Sequence, residues 1–197
     1  MKITAVVFDF NGIFAEPIEF RIVDSICRNL RFGKIMALSN YFINIFRFEK
    51  GKLSPQEFWQ RVFPCLEPQQ YSAWVEAEYE KPARHNNEMY ALAERLAKKF
   101  PLYCLSNSNF LQGKACRKQK LYAPFKALFL SHETGRAKPF PSAFRNLLEA
   151  TGLKAGECLF IDDSLRNAVV ARLLGFRAIK FSGPTNLEQR LKKLGVI

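Results

Sequence analysis

Long apolar runs are missing from this 197-residue chain. No segment approaches the ~20 uninterrupted apolar residues that a membrane helix needs, so a soluble protein is expected. The opening stretch Met1–Asp9 is apolar for about six residues, short of the ~7–15-residue core of a secretion signal and closed by an acid; it reads as a buried strand. Cysteine is sparse as well. Cys27, Cys65, Cys104, Cys116 and Cys158 are odd in number and far apart, with no Cys-x-x-Cys pair for zinc or dithiol chemistry, which suits a reducing cytoplasm. Cys104 and Cys158 sit inside apolar runs and are expected to act as small core hydrophobes. Repeats and low-complexity tracts are absent. Acids are scarce relative to bases, 18 against 30, giving a formal charge of +12. A positive field favours encounter with any anionic partner, whether nucleic acid, acidic lipid or small anion. The cations are scattered, however, and even the densest group, Lys114 to Lys120, fits a solvated surface.

What is present is an alternation of short apolar runs with helix-like patterns. Strands are expected at Ile3–Phe8, Leu102–Leu105, Ala127–Leu130, Cys158–Ile161 and Ala178–Phe181. Being apolar throughout, they suit a parallel sheet covered on both faces. Helices are expected at Asn86–Phe100 and at Pro141–Ala150, the second opened by proline and stopped at Gly152. The fold class is therefore α/β, a Rossmann-like parallel sheet with helices on both faces. Some 70 residues after the first strand hold no convincing strand but several amphipathic stretches, at Ile18–Leu30, Lys34–Phe46, Pro68–Glu80 and after the capping box Ser54-Pro55-Gln56-Glu57. They imply a helical bundle inserted after strand one, dividing the chain into a core of residues 1–14 and 86–197 and a cap of residues 15–85. Phe42, Phe46, Trp59 and Trp74 are assigned to that bundle's core, since spacings of three and four residues are what helix packing demands.

Ligands of an open parallel sheet bind at the carboxyl ends of its strands. Those ends carry Asp9-Phe10-Asn11-Gly12, then Ser106-Asn107-Ser108-Asn109, then a loop leading to Lys138-Pro139, then Asp162-Asp163-Ser164. Acids gathered in one cleft repel each other unless a cation is present, and hard oxygen donors favour Mg2+. With a metal and Lys138 offsetting charge, an ionised Asp9 can attack an anionic phosphorus centre. Ser106 and nearby backbone N–H groups can then hold the transferring group.

These four segments, in this order, resemble the motifs of the haloacid dehalogenase superfamily. Their separations of 97 residues from Asp9 to Ser106, 32 to Lys138 and 24 to Asp162 are similar to those of members with a helical cap after strand one. The resemblance implies that Asp9 is the nucleophile and a metal ligand, with Asn11 a ligand through its backbone carbonyl and Asp163 the acidic ligand from the fourth motif. Asp162 and Asn167 would support that shell. Gly12, Ser106, Asn107 and Lys138 would bind the phosphoryl group, and Lys138 would also pair with Asp9. The second and third motifs look most like the sugar-phosphate phosphatases, which implies a Mg2+-dependent phosphatase of a small phosphorylated metabolite.

One position departs from the pattern. Phosphatases of this superfamily usually carry a second aspartate two residues after the nucleophile, as general acid and base; here it is Asn11. A positioned acid or base contributes ~10²–10⁴-fold in rate. Four readings stay open: a substrate with a good leaving group, a replacement acid from the cap such as Glu16 or Asp24, a different reaction such as 2-haloacid dehalogenation, or a non-catalytic protein whose basic surface addresses RNA or an acidic partner. His132 matches no usable motif, and His85 is expected at the hinge returning the chain from cap to core.

Overall fold

The computed structural model describes residues 2–197. Strands β1 (Ala5–Phe8), β2 (Leu102–Ser106), β3 (Ala127–Leu130), β4 (Cys158–Asp162) and β5 (Arg177–Lys180) form one parallel sheet in the order β3-β2-β1-β4-β5. The sequence places all five, with ends shifted by one or two residues. β2 and β4 each run one residue further, to Ser106 and Asp162, because the polar residue that ends each strand still sits in the ladder opposite Leu130 and Lys180.

Between β1 and β2 lie α1 (Glu19–Leu30), α2 (Lys34–Glu49), α3 (Pro55–Val62), α4 (Pro68–Tyr71) and α5 (Ala77–Glu80), the last two joined by a π-helical turn at Ser72–Glu76, followed by α6 (Asn87–Ala97). After β2 come α7 (Phe110–Lys118), the single turn α8 (Ser131–Thr134), α9 (Pro141–Thr151), α10 (Leu165–Leu173) and α11 (Pro184–Lys193). None of the helices is long and apolar enough to cross a membrane, among the described residues.

Alternate strand residues feed two cores, the arrangement that a period of two produces. Val6, Phe8, Leu102, Cys104, Leu159 and Ile161 pack with Met89, Leu92 and Leu96 of α6 and with Leu187 and Leu191 of α11. Ala5, Val7, Tyr103, Leu105, Cys158 and Phe160 pack on the other face against Phe144 and Leu147 of α9 and Ala171 of α10. All five cysteines are free thiols, with Cys104 and Cys158 fully buried in these cores. The sheet is thus covered on both faces, as uniformly apolar strands require.

Helices α1 to α5 have a third core of their own, built on Ile22, Ile26, Phe48, Phe58, Trp59 and Phe63. The capping box at Ser54 and Glu57 forms in full and starts α3. Trp59 is fully buried and Trp74 packs against the same cluster. Phe42 corrects the expectation, since it is exposed, turned outward beside Phe20. Phe46 leaves the bundle too: it meets Phe140 edge-on at 5.2 Å, because the end of α2 reaches the loop after β3. The two chain segments that join the bundle to the sheet run side by side. Glu16 N–H donates to the Arg84 carbonyl and Asn86 N–H to that of Phe14, and an isolated bridge pairs Ala15 with His85.

Trp59→Ala removes the largest fully buried side chain of the structure. It is expected to cost about 3–5 kcal/mol by chemical denaturation; a loss under about 1 kcal/mol would show that the bundle core is not packed as described.

Candidate functional site

The strand order reverses at β1: the chain proceeds from β1 to β2 and β3 on one side, then crosses to β4 and β5 on the other. A crevice opens at such a switch point, and the polar strand ends converge on it. Asp9 follows β1 directly, its N–H donating to the Ile161 carbonyl of β4 at 2.8 Å. Phe10 and Phe14 on either side of the following turn stack at 5.9 Å, and Phe10 also packs on Tyr122. These buried rings anchor the turn that presents Asp9.

Lys138 Nζ lies 2.9 Å from Asp9 Oδ2 and 2.7 Å from Asp162 Oδ2, with all three side chains nearly or fully buried. Asp162 is saturated: it also accepts from Ser164 N–H at 2.8 Å and from Asn167 Nδ2 at 3.1 Å on both oxygens. Asp163 is left facing the turn, where a Cβ on residue 12 would overlap its Oδ2. The glycine there, at φ +75°, gives the carboxylate its room. Oxygens of Asp9, Asp162 and Asp163 lie within 4.8 Å of one another.

Three carboxylates against one lysine leave the cluster short of positive charge. Burial, reinforced by Asp162 and Asp163, pushes the Asp9 carboxyl up to about 7 against the pull of Lys138. Burial and Asp162 raise Asp163 as well. Burial works against the Lys138 ammonium, but Asp9 and Asp162 outweigh it and hold the lysine above its usual range. A divalent cation among hard oxygen donors is what such a set accepts.

A model of haloacid dehalogenase-like hydrolases matches residues 3–175. The chain belongs to that family. It is 28% identical to the D-ribitol-5-phosphate phosphatase of Bacteroides thetaiotaomicron, over 94% of this chain and 95% of the relative. A HAD family enzyme from the same organism, solved in complex with magnesium and inorganic phosphate, superposes with a TM-score of 0.74 at 25% identity, covering 91% of this chain and 94% of that one. The L-2-haloacid dehalogenase of Xanthobacter autotrophicus, with chloropropionic acid covalently bound, shares the fold at 16% identity and a TM-score of 0.66, over 99% and 84% of the two chains.

In this hydrolase the cleft beside Asp9 has a volume of about 200 Å³ and is lined by both units: Asp9, Asn11, Asn107, Asn109, Gln112 and Asp163 from the sheet side, Glu19, Tyr41 and Glu49 from the bundle. Ser106 is buried at the end of β2, its hydroxyl on the Asn107 carbonyl at 3.3 Å. The Asn107 side chain is a junction. Its Oδ1 accepts from Lys138 N–H at 2.8 Å, while its Nδ2 donates to the Lys138 carbonyl at 3.0 Å and to Glu49 Oε2 at 3.1 Å. Asn11 is locked in an amide pair. Gln112 Nε2 donates to its Oδ1 at 2.5 Å, and its own Nδ2 donates to the Asn107 carbonyl at 3.0 Å and to Gln112 Oε1 at 3.3 Å.

The acids expected from the bundle are not in the cleft. Glu16 is exposed and pairs with Arg84, since it lies on the outer side of the linker, and Asp24 pairs with Lys34 at 2.7 Å on the bundle surface. Glu19 and Glu49 stand there instead. Glu19 accepts from Asn109 Nδ2 at 2.9 Å and from the Tyr79 hydroxyl at 3.4 Å, tying bundle to core. Glu49 is pushed up to about 7, by burial first and Glu19 second, against Lys138 and the bond from Asn107. One sequence signal marks Glu49: it is the sole acid of α2 and ends the helix, where the macrodipole disfavours a negative charge. His132 is bonded to Ser108 Oγ at 2.9 Å and stays behind the cleft wall, and His85 is exposed on the linker.

Lys138→Met strands two buried carboxylates without their cation and is expected to cost about 3–5 kcal/mol in chelator; denaturation curves matching the parent would overturn that charge balance. Glu49 has its folded pKa raised above the unfolded value, so its contribution is fully present below pH about 4.5 and lost as pH rises through about 7. In chelator, Glu49→Gln should therefore gain stability over the parent between pH 5 and pH 8, on the order of 1 kcal/mol after solvent screening. A gap between the two denaturation midpoints that stays constant with pH contradicts it.

Proposed function

We propose that this hydrolase is a Mg2+-dependent phosphatase of a small hydroxylated phosphate monoester, working through a phospho-aspartyl intermediate on Asp9. The observation that carries the reading is the buried Asp9 at the switch point, held at 2.9 Å by Lys138 beside the carboxylates of Asp162 and Asp163. The relative named for D-ribitol 5-phosphate and the structural neighbour holding magnesium and phosphate support the same class.

Asp9, Asp163 and the Asn11 backbone would hold the metal, which when bound supplies charge neutralisation and orients the phosphoryl oxygens. Asp162 and Asn167 keep Lys138 and that shell in place. The Asp9 carboxylate adds to phosphorus as the ester P–O bond breaks, and the leaving oxygen takes up a proton. Water then cleaves the acyl phosphate, returning Asp9 and releasing inorganic phosphate. Ser106, Asn107 and the turn at Gly12 would hold the phosphoryl group while the Lys138 ammonium offsets the charge that develops on it. Residues 15–85 would act as a cap over a core of residues 1–14 and 86–197, shielding the intermediate from bulk water. Tyr41, Glu19, Asn109 and Gln112 line the rest of the cleft. Tyr41 offers a hydroxyl there while Glu19, Asn109 and Gln112 are bonded to protein partners, and no cation among the lining residues invites a second anionic group.

A panel of pentitol phosphates, pentose phosphates and p-nitrophenyl phosphate tests this. Phosphate release should require magnesium and stop on chelation, and Asp9→Asn should lower it by about 10³-fold or more. Turnover surviving in Asp9→Asn would remove the aspartyl intermediate from the reading.

A further inference from the structure

We infer that Glu49, carried to the cleft by the end of α2, is the acid and base of this reaction, in the role that Asn11 cannot fill. The inference rests on the phosphatase reading. An amide at position 11 exchanges no proton at neutral pH, and both ends of the Asn11 side chain are spent on Gln112 and Asn107. A general acid must therefore come from elsewhere on the cleft wall.

The alternatives are occupied. Glu19 is tied to Asn109 and Tyr79. Asp162 is saturated by Lys138, Ser164 and Asn167. Asp163 belongs to the carboxylate cluster, and His132 is bonded to Ser108. Glu49 differs from all of them. Its Oε2 is fixed by Asn107 Nδ2, the same amide that grips the backbone of Lys138 on both sides, while its Oε1 has no hydrogen-bond partner among the described residues. The helix end that bears it is clamped onto the lysine loop: Lys50 Nζ lies 4.5 Å from the centre of the Phe140 ring and 5.1 Å from that of Phe46. A carboxyl group with one fixed oxygen and one free, lining the same cleft as Asp9, is positioned for proton transfer.

The groups facing it set its proton affinity. Asp9 and Glu19 favour the protonated form, Lys138 and the Asn107 bond the ionised one, and burial decides in favour of the proton, up to about 7. Tyr41 faces the same cleft uncharged, raised by its own burial. On the neighbouring turn α8, Glu133 is paired with Arg117 at 2.7 Å, and burial keeps His132 below its usual range. Protonated Glu49 gives its proton to the leaving oxygen as the P–O bond breaks. The resulting carboxylate takes a proton from the water that attacks the acyl phosphate, and each cycle returns it to the acid form.

The test separates leaving groups. With a pentitol phosphate, whose alkoxide needs the proton, Glu49→Gln should lose about 10²–10⁴-fold in kcat/KM, and the fall of the parent's kcat/KM above pH about 7 should vanish. With p-nitrophenyl phosphate, whose leaving group needs none, stopped-flow mixing of Glu49→Gln should still release about one p-nitrophenolate per enzyme at the parent's rate. Slow turnover should follow, because the base for the second step is gone. Glu49→Asp, shorter but still an acid, should recover part of the loss together with the pH limb; it also serves should glutamine disturb the bundle. A variant within about threefold of the parent on both substrates overturns the inference, as does a folded variant that loses burst and turnover alike. A parent inert toward every ester overturns the phosphatase reading itself, and this inference with it.

Discussion

The Lys138 ammonium, buried between Asp9 and Asp162, is the interaction on which the rest of the site depends. Burying ions costs several kcal/mol each, and mutual attraction repays it only when geometry and further hydrogen bonds are good. Here both conditions shape the surroundings. Asp162 collects Ser164 N–H and the Asn167 amide, and the Lys138 backbone is gripped by Asn107 at both its N–H and its carbonyl. The four motif segments are thus locked to one another through side chains and not through strand pairing alone. The lock leaves one cation facing three carboxylates, and burial, reinforced by the neighbouring carboxylates, raises the proton affinity of Asp9 and Asp163. A site poised in this way has reason to take up a cation and an anionic substrate together.

A second set of polar contacts carries that lock to the helical bundle. Asn107 reaches Glu49, Asn109 reaches Glu19 and Tyr79, and the Phe46, Lys50 and Phe140 group seals the edge. Leu111 and Ala115 of α7 add apolar contact with the bundle's cluster, while most of the apolar burial lies within the separate cores. Apolar burial stabilises the parts, and the polar bridges together with the α7 contact fix how they meet.

The sheet and the motif residues were legible in sequence because four of the strands are short apolar runs ended or followed by a polar residue, whereas the edge strand β5 mixes Arg177 and Lys180 with Ala178 and Ile179 and is only partly buried. Asp9, Lys138 and Asp162 converge as their positions imply. The bundle was legible as helices but less so as a surface. Phe42 and Phe46 share the aromatic spacing of core residues, yet one faces solvent and the other leaves the bundle for Phe140, since periodicity gives a helix face but not what that face meets. Helix α10 shows the limit from the other side: Leu165, Val169 and Leu173 are exposed, so apolar residues ring the helix and blur its pattern. The linker separates Glu16 from the cleft and α2 delivers Glu49 to it. That exchange depends on the angle at which α2 crosses the sheet end, a tertiary quantity that no local signal encodes beyond the odd placement of an acid at a helix C-terminus.

The departure at position 11 then acquires a physical reason. Asn11 Nδ2 donates to the Asn107 carbonyl at 3.0 Å, and its Oδ1 receives Gln112 Nε2. An ionised aspartate there would keep the second bond but turn an acceptor toward the carbonyl, a repulsion between two unpaired acceptors in a part-buried place. It would also add another negative charge to a cluster already short of cations. Asparagine and Gln112 form a matched neutral pair that closes this wall of the cleft without charge, and Asn107, held by the same pair through its carbonyl, turns its own side chain toward Lys138 and Glu49. Beyond Asp9 and Asp163, the acids that line the cleft are contributed by the bundle, Glu19 at the start of α1 and Glu49 at the end of α2.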